Sequence, residues 1–552
     1  MKNKLSRLRQ INLHFLIALL YGLGSLFTAG AGTTLSSNEA FTFEQHEIDI
    51  GTQERQTVLT GFFLRNAVSE IAVVTLENDL TRGLRLFAFV DNHWKKMIDT
   101  TLRPNVEFVD VIRLGGQDRL ISYEAGRLNL FDPVSHAESE WIAVSTIFKN
   151  PRKEEIPWVD ITKDVNGDGR EDLAIPVSEG FLLHVQTTDS NFETPVRVGT
   201  QTDLRGIYGT DGYRYDTWSQ SRIHSIDYNR DGRVDLAFWK EDHFEVHIQN
   251  DHGLYSDPPE LFCTEIPFDS DRFFTLTTGN KTGRVLHSLA DMNSDGIADM
   301  VIYTLSGQRI SKKRSSFSIY YGQSAEGNST RINNKIGTTF ESEDRIQLRL
   351  ERRDFNRDGQ MDLMLTTIER ERLYGSLWKT LKGMMGDDIA LNLDFHQSIE
   401  GFQTTKPNTT YRIALDGAPS HREPGSVDLG LVLRGPTHEG RKAEKTWPKA
   451  FNPNLFIGDV NGDGHDDLLF ESTFRGLKIY PGMPGPTVFS PTSQSLSAIV
   501  PANQQYSWLV DLNNDGKQDL LFHHPFIERD IHGGRIHPLG TESQKVTLHI
   551  AL

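Results

Sequence analysis

The chain has 552 residues and a formal net charge of −17, with 75 acidic against 58 basic side chains. So acidic a chain lacks the basic face that a nucleic acid needs, and we predict no nucleic-acid partner. A single cysteine, Cys263, excludes an intramolecular disulfide, and the length is sufficient for several hydrophobic cores.

The N-terminus is typical of an exported protein. Basic residues between Lys2 and Arg9 precede an apolar stretch over about 11–27, and residues 29–31 (Ala-Gly-Ala) offer a small-x-small cleavage site. We predict a signal peptide over 1–31, followed by a linker over 32–54, in a secreted, periplasmic or cell-surface protein. The alternative is an uncleaved anchor, because the apolar stretch approaches the length of a membrane span. No other stretch is long and apolar enough to cross a bilayer.

Strand-like segments come next. The ranges 57–65, 70–77 and 84–91 are apolar and bounded by polar residues, which predicts strands. The segment Asp110–Asp118 (DVIRLGGQD) is an incomplete version of a motif that follows six times in full. It has Asp at positions 1 and 9 and Gly115 at position 6, so we interpret it as part of a repeat whose loop holds no metal.

The complete motif is Asp-x-Asn-x-Asp-Gly-x-x-Asp, and each copy runs directly into a short apolar segment. The six copies begin at Asp164, Asp227, Asp291, Asp354, Asp459 and Asp511. Position 6 is Gly in every copy, where the turn needs a residue without a Cβ. Position 12 is apolar in every copy, so the bidentate Glu of an EF-hand is missing, and the apolar run indicates a buried strand. The motif therefore predicts strand–loop–strand.

The loop composition predicts a metal site. Side-chain oxygens at positions 1, 3, 5 and 9 and a backbone carbonyl at position 7 suit a hard divalent cation, and Ca²⁺ fits best, at about six structural sites. Three carboxylates in so small a loop repel one another unless a cation lies among them. The alternative is a metal-free hairpin turn, since Asp, Asn and Gly favour turns anyway. The predicted ligands are Asp164, Asn166, Asp168, Arg170 and Asp172; Asp227, Asn229, Asp231, Arg233 and Asp235; Asp291, Asn293, Asp295, Ile297 and Asp299; Asp354, Asn356, Asp358, Gln360 and Asp362; Asp459, Asn461, Asp463, His465 and Asp467; and Asp511, Asn513, Asp515, Lys517 and Asp519.

The spacing of the motifs predicts the architecture. Successive starts are separated by 63, 64, 63, 105 and 52 residues, and a unit of this length has room for about four short strands, or one propeller blade. A second incomplete copy, Ser420–Asp428, keeps only Gly425 and Asp428 of the pattern. We predict an all-β fold, a β-propeller of seven or eight four-stranded blades over 55–552. The range 366–450 holds either a blade or an insertion.

One segment departs from the strand pattern. Between Glu369 and Met385 apolar residues, including Leu373, Leu377 and Trp378, recur at helical spacing. We therefore predict a short amphipathic helical insertion. Because it follows the second strand of its blade, it should lie on the face away from the metal loops. It would pack on the propeller, or alternatively form part of a partner-binding surface.

The repeats resemble FG-GAP/VCBS repeats, the calcium-loop blades of integrin alpha-subunit propellers and of many secreted bacterial proteins. The resemblance covers about 100–535 and implies a β-propeller with a calcium loop between the first and second strands of each matching blade. It also implies that Asp164, Asn166, Asp168, Asp172 and their equivalents bind the metal. The Gly-Ala-Pro of the namesake motif is replaced, for example by residues 175–177 (Ile-Pro-Val), which is nearer the VCBS variant.

The sequence is less informative about function. It contains no nucleophile elbow, zinc-binding helix, phosphate loop or paired-cysteine motif, and His523, His524, His532 and His537 are interpreted as edge-strand or loop residues. The family hosts adhesion, glycan-binding and some enzymatic members, so the resemblance does not fix the function. We predict a binding or adhesion module for a protein or glycan in preference to an enzyme. The alternative is a carbohydrate-active enzyme, a polysaccharide lyase or hydrolase. The ligand and the oligomeric state stay open.

Overall fold

The structure is a computed structural model that describes residues 41–145, 156–200, 223–269, 282–370, 389–415, 455–525 and 543–552. Short gaps within these ranges fall at 54–55, 65–66, 178, 308–311, 313, 326, 328, 399–401, 403–404, 474–475, 486 and 502–505. The predicted signal peptide, residues 371–385 of the amphipathic helix predicted between Glu369 and Met385, and the incomplete copy at 420–428 lie outside the described residues.

The described residues form strands almost throughout. The strands are β1 (Phe43–Gly51), β2 (Gln56–Gly61), β3 (Glu70–Leu76), β4 (Arg82–Val90), β5 (His93–Thr101), β6 (Phe108–Leu114), β7 (Gln117–Glu124), β8 (Arg127–Asp132), β9 (Ala137–Ala143), β10 (Thr162–Lys163), β11 (Asp172–Val177), β12 (Gly180–His184), β13 (Val196–Val198), β14 (His224–Ile226), β15 (Asp235–Lys240), β16 (His243–His247), β17 (Glu260–Cys263), β18 (Gly283–Ala290), β19 (Asp299–Ser306), β20 (Arg314–Tyr320), β21 (Gly322–Ser324), β22 (Thr330–Ile332), β23 (Thr338–Glu341), β24 (Arg345–Arg353), β25 (Asp362–Glu369), β26 (Ile389–His396), β27 (Thr409–Leu415), β28 (Leu455–Gly458), β29 (Asp467–Thr473), β30 (Gly476–Tyr480), β31 (Gln494–Ser497), β32 (Ser507–Val510), β33 (Asp519–His524) and β34 (Gln544–Ala551).

These strands build eight four-stranded antiparallel sheets, the blades of a β-propeller. Blades 1 to 4 are β2–β5, β6–β9, β10–β13 and β14–β17, and blade 5 is β18, β19, β20 and β23, with the hairpin β21–β22 as an addition. Blades 6 and 7 are β24–β27 and β28–β31. Blade 8 has the order β1-β34-β33-β32. The all-β propeller prediction is confirmed, with eight blades, and β26 and β27 show that 389–415 belongs to a blade.

The N-terminal strand closes the ring. β1 pairs with β34 in antiparallel register, from Phe43 opposite Ala551 to Asp49 opposite Lys545, and so provides the outermost strand of blade 8. The linker prediction for 32–54 was therefore wrong for residues 43–51. These residues carry no motif, and their partner lies at the other end of the chain, where local sequence patterns give no signal.

The orientation of the blades follows from their connectivity. The first strands of neighbouring blades lie side by side, as β2 with β6, β6 with β10 and β14 with β18, as expected for the strands nearest the axis of a ring. In such a meander the connections after the first and third strands leave at one face of the ring. Those after the second and fourth strands leave at the opposite face.

No helix among the described residues is long and apolar enough to cross a membrane.

The hydrophobic core lies between neighbouring blades. Phe355 and Phe395 of blade 6 form one cluster with Phe489 of blade 7, and the ring centroids of Phe395 and Phe489 are 5.3 Å apart. The second strands are buried along most of their length, as in β11 and β19, because sheets cover them on both sides. This explains the continuous apolar runs after the motifs.

Candidate metal loops

The six motifs occupy equivalent places in blades 3 to 8. They form loops 3 to 8, named for their blades: Asp164–Asp172, Asp227–Asp235, Asp291–Asp299, Asp354–Asp362, Asp459–Asp467 and Asp511–Asp519. Each joins the first and second strands of its blade, and the Asp at position 9 is the first residue of the second strand. The placement between first and second strands agrees with the sequence prediction.

The aspartate at position 1 organises each loop through backbone amides. In loop 6 the N–H of Asp358 donates to Asp354 Oδ1 over 3.1 Å, and the N–H of Gly359 donates to Asp354 Oδ2 over 2.9 Å. The second of these bonds recurs in all six loops at 2.9 to 3.0 Å. Position 6 has a positive φ in every loop, 87° at Gly359. The Gly at this position is therefore required by the backbone conformation.

The same conformation occurs at position 4, which the sequence analysis missed. Gly occupies it only in loops 3 and 7, and the φ angles of Arg230, Ser294, Arg357 and Asn514 are 59°, 61°, 55° and 57°. A non-glycine residue with positive φ is uncommon and carries a steric cost. Four loops therefore hold this strained turn without glycine, because the surrounding hydrogen bonds determine it.

Positions 3 and 5 form a second constant contact. In loop 6 the Asn356 Nδ2 donates to Asp358 Oδ2 over 3.0 Å, and Asn356 Oδ1 accepts from the N–H of Asp358 over 3.0 Å. The amide-to-carboxylate bond is present in all six loops, at 2.8 to 3.0 Å. The side chains at positions 1, 3 and 5 are therefore held on one small loop by its own hydrogen bonds.

The aspartate at position 9 has a different environment. Asp299 is fully buried; its Oδ2 accepts from the N–H of Met292 at 2.9 Å, and its Oδ1 accepts from the N–H of Gly322 at 2.7 Å. Met292 is at position 2 of the loop and Gly322 follows the third strand. The carboxylate therefore ties the loop to the third strand of the same blade.

Burial and neighbouring charges act together on these carboxylates. Desolvation, and next the Asp295 and Asp291 charges, raise the pKa of Asp299 to about 7, although the backbone hydrogen bonds oppose the shift. Asp172 and Asp467 have pKa values raised to about 7, and Asp235, Asp362 and Asp519 to about 6, with burial as the first cause. Burial of the position 9 carboxylate is therefore the main cause of each raised pKa, and the neighbouring aspartates of the same loop add to it.

The donor set can be tested against a divalent cation. In the described residues, His, Cys, Asp and Glu side chains form no group of three or more arranged for a metal ion. The loop oxygens instead accept hydrogen bonds from the loop itself, as Asp354 and Asn356 do in loop 6. Asp362 Oδ2, however, is buried without a hydrogen-bond partner. The oxygens at positions 1, 3, 5 and 9 are the ligand type that Ca²⁺ takes, so the residues fit the ion by chemistry.

Blades 1 and 2 use other residues at the start of the second strand. Glu70 and Gln117 occupy this place, and both are buried. Glu70 Oε2 accepts from the N–H of Leu64 over 2.9 Å, and Gln117 Nε2 donates to the carbonyl of Phe63 over 2.6 Å. The sequence analysis missed both residues, because neither is an aspartate within a recognisable motif.

The incomplete motif at Asp110–Asp118 has a different alignment from the one predicted. Asp110 lies within β6 rather than at the start of a loop, and it is buried. Its carboxylate accepts from Trp158 Nε1 at 2.7 Å and from the N–H of Ile161 at 2.8 Å, so it fastens the connection between blades 2 and 3. Burial raises the pKa of Asp110 to about 7. The segment belongs to a blade, as predicted, but its turn is Gly115-Gly116.

The C-terminal histidines divide between described and undescribed residues. His523 and His524 belong to β33, the second strand of blade 8, and not to an edge strand or loop. Both are buried, with His523 Nε2 3.0 Å from Gln544 Oε1 and His524 Nε2 3.0 Å from Thr547 Oγ1. They join neighbouring strands of one blade. His532 and His537 lie outside the described residues.

The loops between first and second strands form a continuous ring of contacts, which we call the loop belt. In each contact a loop, the strand end beside it or the neighbouring hairpin bonds to the same region of the next blade. The contacts in order are Phe62 N–Asp118 Oδ2 (2.8 Å), Arg113 N–Glu171 Oε2 (2.6 Å), Tyr255 Oη–Val165 O (2.7 Å), Thr330 N–Tyr228 O (2.9 Å), Met361 N–Ser294 Oγ (2.9 Å), Arg357 Nη2–Asp466 Oδ1 (3.3 Å), Gln518 N–Asp459 O (2.8 Å) and Ser69 N–Leu512 O (2.6 Å). All eight loops therefore lie on one face of the propeller.

Comparisons with known proteins found only distant similarity to solved structures. No protein-family model matches the chain, and no curated protein sequence matches it. Similar solved structures are the Tc holotoxin pore of Photorhabdus luminescens (10% identity, TM-score 0.28, 94% of this chain and 17% of that chain), Hsv2 of Kluyveromyces lactis (7%, 0.31, 83% and 99%) and the V. cholerae biofilm matrix protein Bap1 (10%, 0.34, 91% and 89%). The chain thus spans less than a fifth of the toxin chain. At these TM-scores the similarity supports no inference about function.

Proposed function

We propose that this protein is an exported, calcium-stabilised propeller that binds a protein or glycan. The calcium ions would be structural and would be held by loops 3 to 8. Their ligands would be the oxygens of positions 1, 3, 5 and 9 and the carbonyl of position 7. The observation that supports this most is that six loops share one hydrogen-bonded conformation and join into one belt.

The electrostatics of the loops support the presence of a cation. The pKa of Asp299 is raised partly by Asp295 and Asp291, so three carboxylates repel one another across a short loop. A divalent cation among them would reverse this repulsion. Outside the cytosol calcium reaches about millimolar concentration, which fills loops with dissociation constants of about 10⁻⁴–10⁻³ M. The export and calcium proposals therefore support each other.

The ligand would bind on the face opposite the loop belt. The strands that precede the connections 199–223, 264–282, 370–388, 416–454 and 525–543 are second or fourth strands of their blades, so these strands end at that face. Each of these connections is longer than any connection at the belt face. Rigid scaffolds commonly carry recognition on long connecting segments. The loop belt would then stabilise the ring, and the amino-acid sequence of the connections at the opposite face could change without destabilising the propeller.

A binding screen tests this proposal. The purified chain would be applied to a glycan array and a cell-surface protein array, with 2 mM (about physiological) calcium and with EGTA. We expect specific capture that survives exchange of belt-face surface residues, such as Glu193→Ala, and is lost when 416–454 is replaced by a short Gly/Ser linker. A folded, calcium-loaded protein that captures nothing on either array, or that binds through the belt face, would refute the proposal.

A further inference from the structure

Two of the six loops contain their own positive charge. In loop 3, Arg170 Nη2 forms an ion pair with Asp168 Oδ2, and Arg170 Nε donates to the carbonyl of Gln186 over 3.1 Å. In loop 4, Arg233 Nη2 lies 2.5 Å from Asp231 Oδ2, and Arg233 Nε donates to the carbonyl of Gln249 over 3.2 Å. Each arginine is at position 7 and pairs with position 5 of its own loop.

The arrangement is the same in both loops and is anchored at two points. Gln186 and Gln249 are equivalent residues, because the N–H of each donates to the position 9 carboxylate of its loop, Asp172 or Asp235. The guanidinium therefore bridges the position 5 carboxylate and the exit of the third strand. Arg233 has one more partner, Asp251 Oδ1, at 2.8 Å from Nη1.

Loops 5 to 8 differ at this position, which is Ile297, Gln360, His465 or Lys517. Within the described residues no lysine or arginine nitrogen forms an ion pair with position 1, 3 or 5 of these four loops; the arginine pairs there go to Asp466 at position 8 of loop 7. Arg352 of blade 6 interacts with the charges of Asp291 and Asp299 in loop 5, but from a neighbouring blade and not from position 7. Lys517 is basic and occupies position 7 of loop 8, but its aliphatic carbons lie against Gly462 of the preceding loop and its ammonium group does not pair with Asp515. A basic residue at position 7 is therefore insufficient; the planar, forked guanidinium is what reaches both partners.

We propose that Arg170 and Arg233 act as tethered cations that hold loops 3 and 4 in the folded conformation when calcium is absent. These two loops would then be the weakest calcium sites of the six, and loops 5 to 8 would carry the calcium dependence. The part of this inference that concerns affinity rests on the proposed calcium function. The part that concerns the calcium-free loops does not.

The lower calcium affinity of loops 3 and 4 would follow because the arginine and the calcium ion compete for the same carboxylate oxygen at position 5. Asp168 Oδ2 already accepts from Asn166 Nδ2 at 3.0 Å and from Arg170, and Asp168 Oδ1 accepts from the N–H of Arg170 at 2.9 Å. A calcium ion that used this carboxylate would meet the guanidinium at close range and repel it. Since the arginine is about one-third exposed, the ion pair is a modest one, and its loss corresponds to about a two- to fivefold change in an equilibrium constant.

Hydrogen exchange followed by mass spectrometry tests the inference on the full chain in EGTA. We expect Arg170→Gln and Arg233→Gln each to accelerate amide exchange in their own loop by about two- to fivefold. Gln360→Arg should slow exchange in loop 6 by a similar factor. Arg197→Gln, the matched control, removes an exposed ion pair with Glu179 outside the loops and should leave exchange in loops 3 and 4 unchanged. Unchanged exchange in loops 3 and 4 of the arginine variants would overturn the inference, whatever calcium does.

Calcium titration of the same variants separates the two proposals. Calorimetry on the wild type and on the Arg170→Gln, Arg233→Gln double variant should show tighter binding at two sites in the variant, by about two- to fivefold. If neither protein binds calcium, the proposed function fails while the exchange result still decides the role of the arginines. If both bind calcium with identical affinities at all sites, the competition between arginine and calcium is refuted and the calcium function stands.

Discussion

The backbone N–H of Ser69 donates to the carbonyl of Leu512 over 2.6 Å, and this bond joins the loop of blade 1 to the loop of blade 8. It completes the loop belt at the same seam where β1 pairs with β34. The seam is the place where the first and last strands of the described residues meet, so it holds the ring closed without a covalent link. Its stability should depend on how well β1 is packed.

Truncation of Ile48 should weaken the seam. Ile48 is buried in a cluster that joins β1 and β34 of blade 8 to Val58 and Ile71 of blade 1. We expect Ile48→Ala to lower the free energy of unfolding by about 2–4 kcal/mol, because it removes three buried carbons and leaves a cavity. Urea denaturation followed by tryptophan fluorescence measures this. The exposed neighbour Glu44 gives the control, and an Ile48→Ala cost no larger than that of Glu44→Ala would contradict the prediction.

The position 9 aspartates should stabilise the blades even without metal. Asp299→Ala would leave the buried N–H groups of Met292 and Gly322 without acceptors. We expect a loss of about 1–3 kcal/mol for each group in urea denaturation in EGTA. Asp295→Ala, in the same loop, removes an exposed side chain and should cost much less under the same conditions. Equal costs for the two variants would show that the buried carboxylate has no separate structural role.

The motif copies were the part of the fold that the sequence predicted well. Each contains a local and repeated signal, so the loop and the buried second strand that begins at Asp172, Asp299 or Asp467 could be placed from the residues alone. The regular spacing then indicated blades. These features depend on contacts within a few residues of one another, which is the range over which sequence patterns carry information.

The features that the sequence analysis missed depend on distant partners. β1 is a strand because residues 544–551 lie beside it, about 500 residues along the chain. Glu70 and Gln117 fill the place of the position 9 aspartate with other chemistry, and only their position in the sheet reveals the equivalence. The arginine ion pairs in loops 3 and 4 were missed for a related reason, since position 7 was read only as a source of backbone carbonyls.

Buried histidines should make the protein sensitive to acid. His184 and His549 are buried, and burial lowers the pKa of each to about 4, against about 6.5 in an unfolded chain. Between these values the unfolded state binds the proton and the folded state does not. The stability is therefore complete above pH 6.5 and is lost as the pH falls from about 6.5 to about 4, by about 2 kcal/mol per histidine at pH 5.

A pair of variants isolates this contribution. His549→Phe removes the titrating group, so the difference in unfolding free energy between pH 7 and pH 5 should be smaller than in the wild type by about 2 kcal/mol. Leu261→Phe, at an exposed position without a titrating group, should leave that difference unchanged. Urea denaturation at the two pH values, at one fixed calcium concentration, gives the comparison. A pH dependence that is the same in all three proteins would contradict the assignment of His549 as a buried neutral imidazole.

Removal of calcium should destabilise the whole ring. A ligand that binds only the folded state adds about 0.4–1.4 kcal/mol per site at a one- to tenfold excess over its dissociation constant, and the loop belt connects the six loops to every blade. We expect EGTA to lower the unfolding temperature by several degrees, and magnesium to restore it poorly because Mg²⁺ demands a stricter geometry.

Asp358→Ala, in loop 6, should reduce the bound calcium by one ion in elemental analysis. It should also shrink the effect of EGTA, since one loop no longer responds. Asp242→Ala, at an exposed turn of blade 4, should change neither quantity. An unfolding temperature that is the same with calcium and with EGTA would refute the proposal that these loops are metal sites, and the belt would then have to hold the ring by its hydrogen bonds alone.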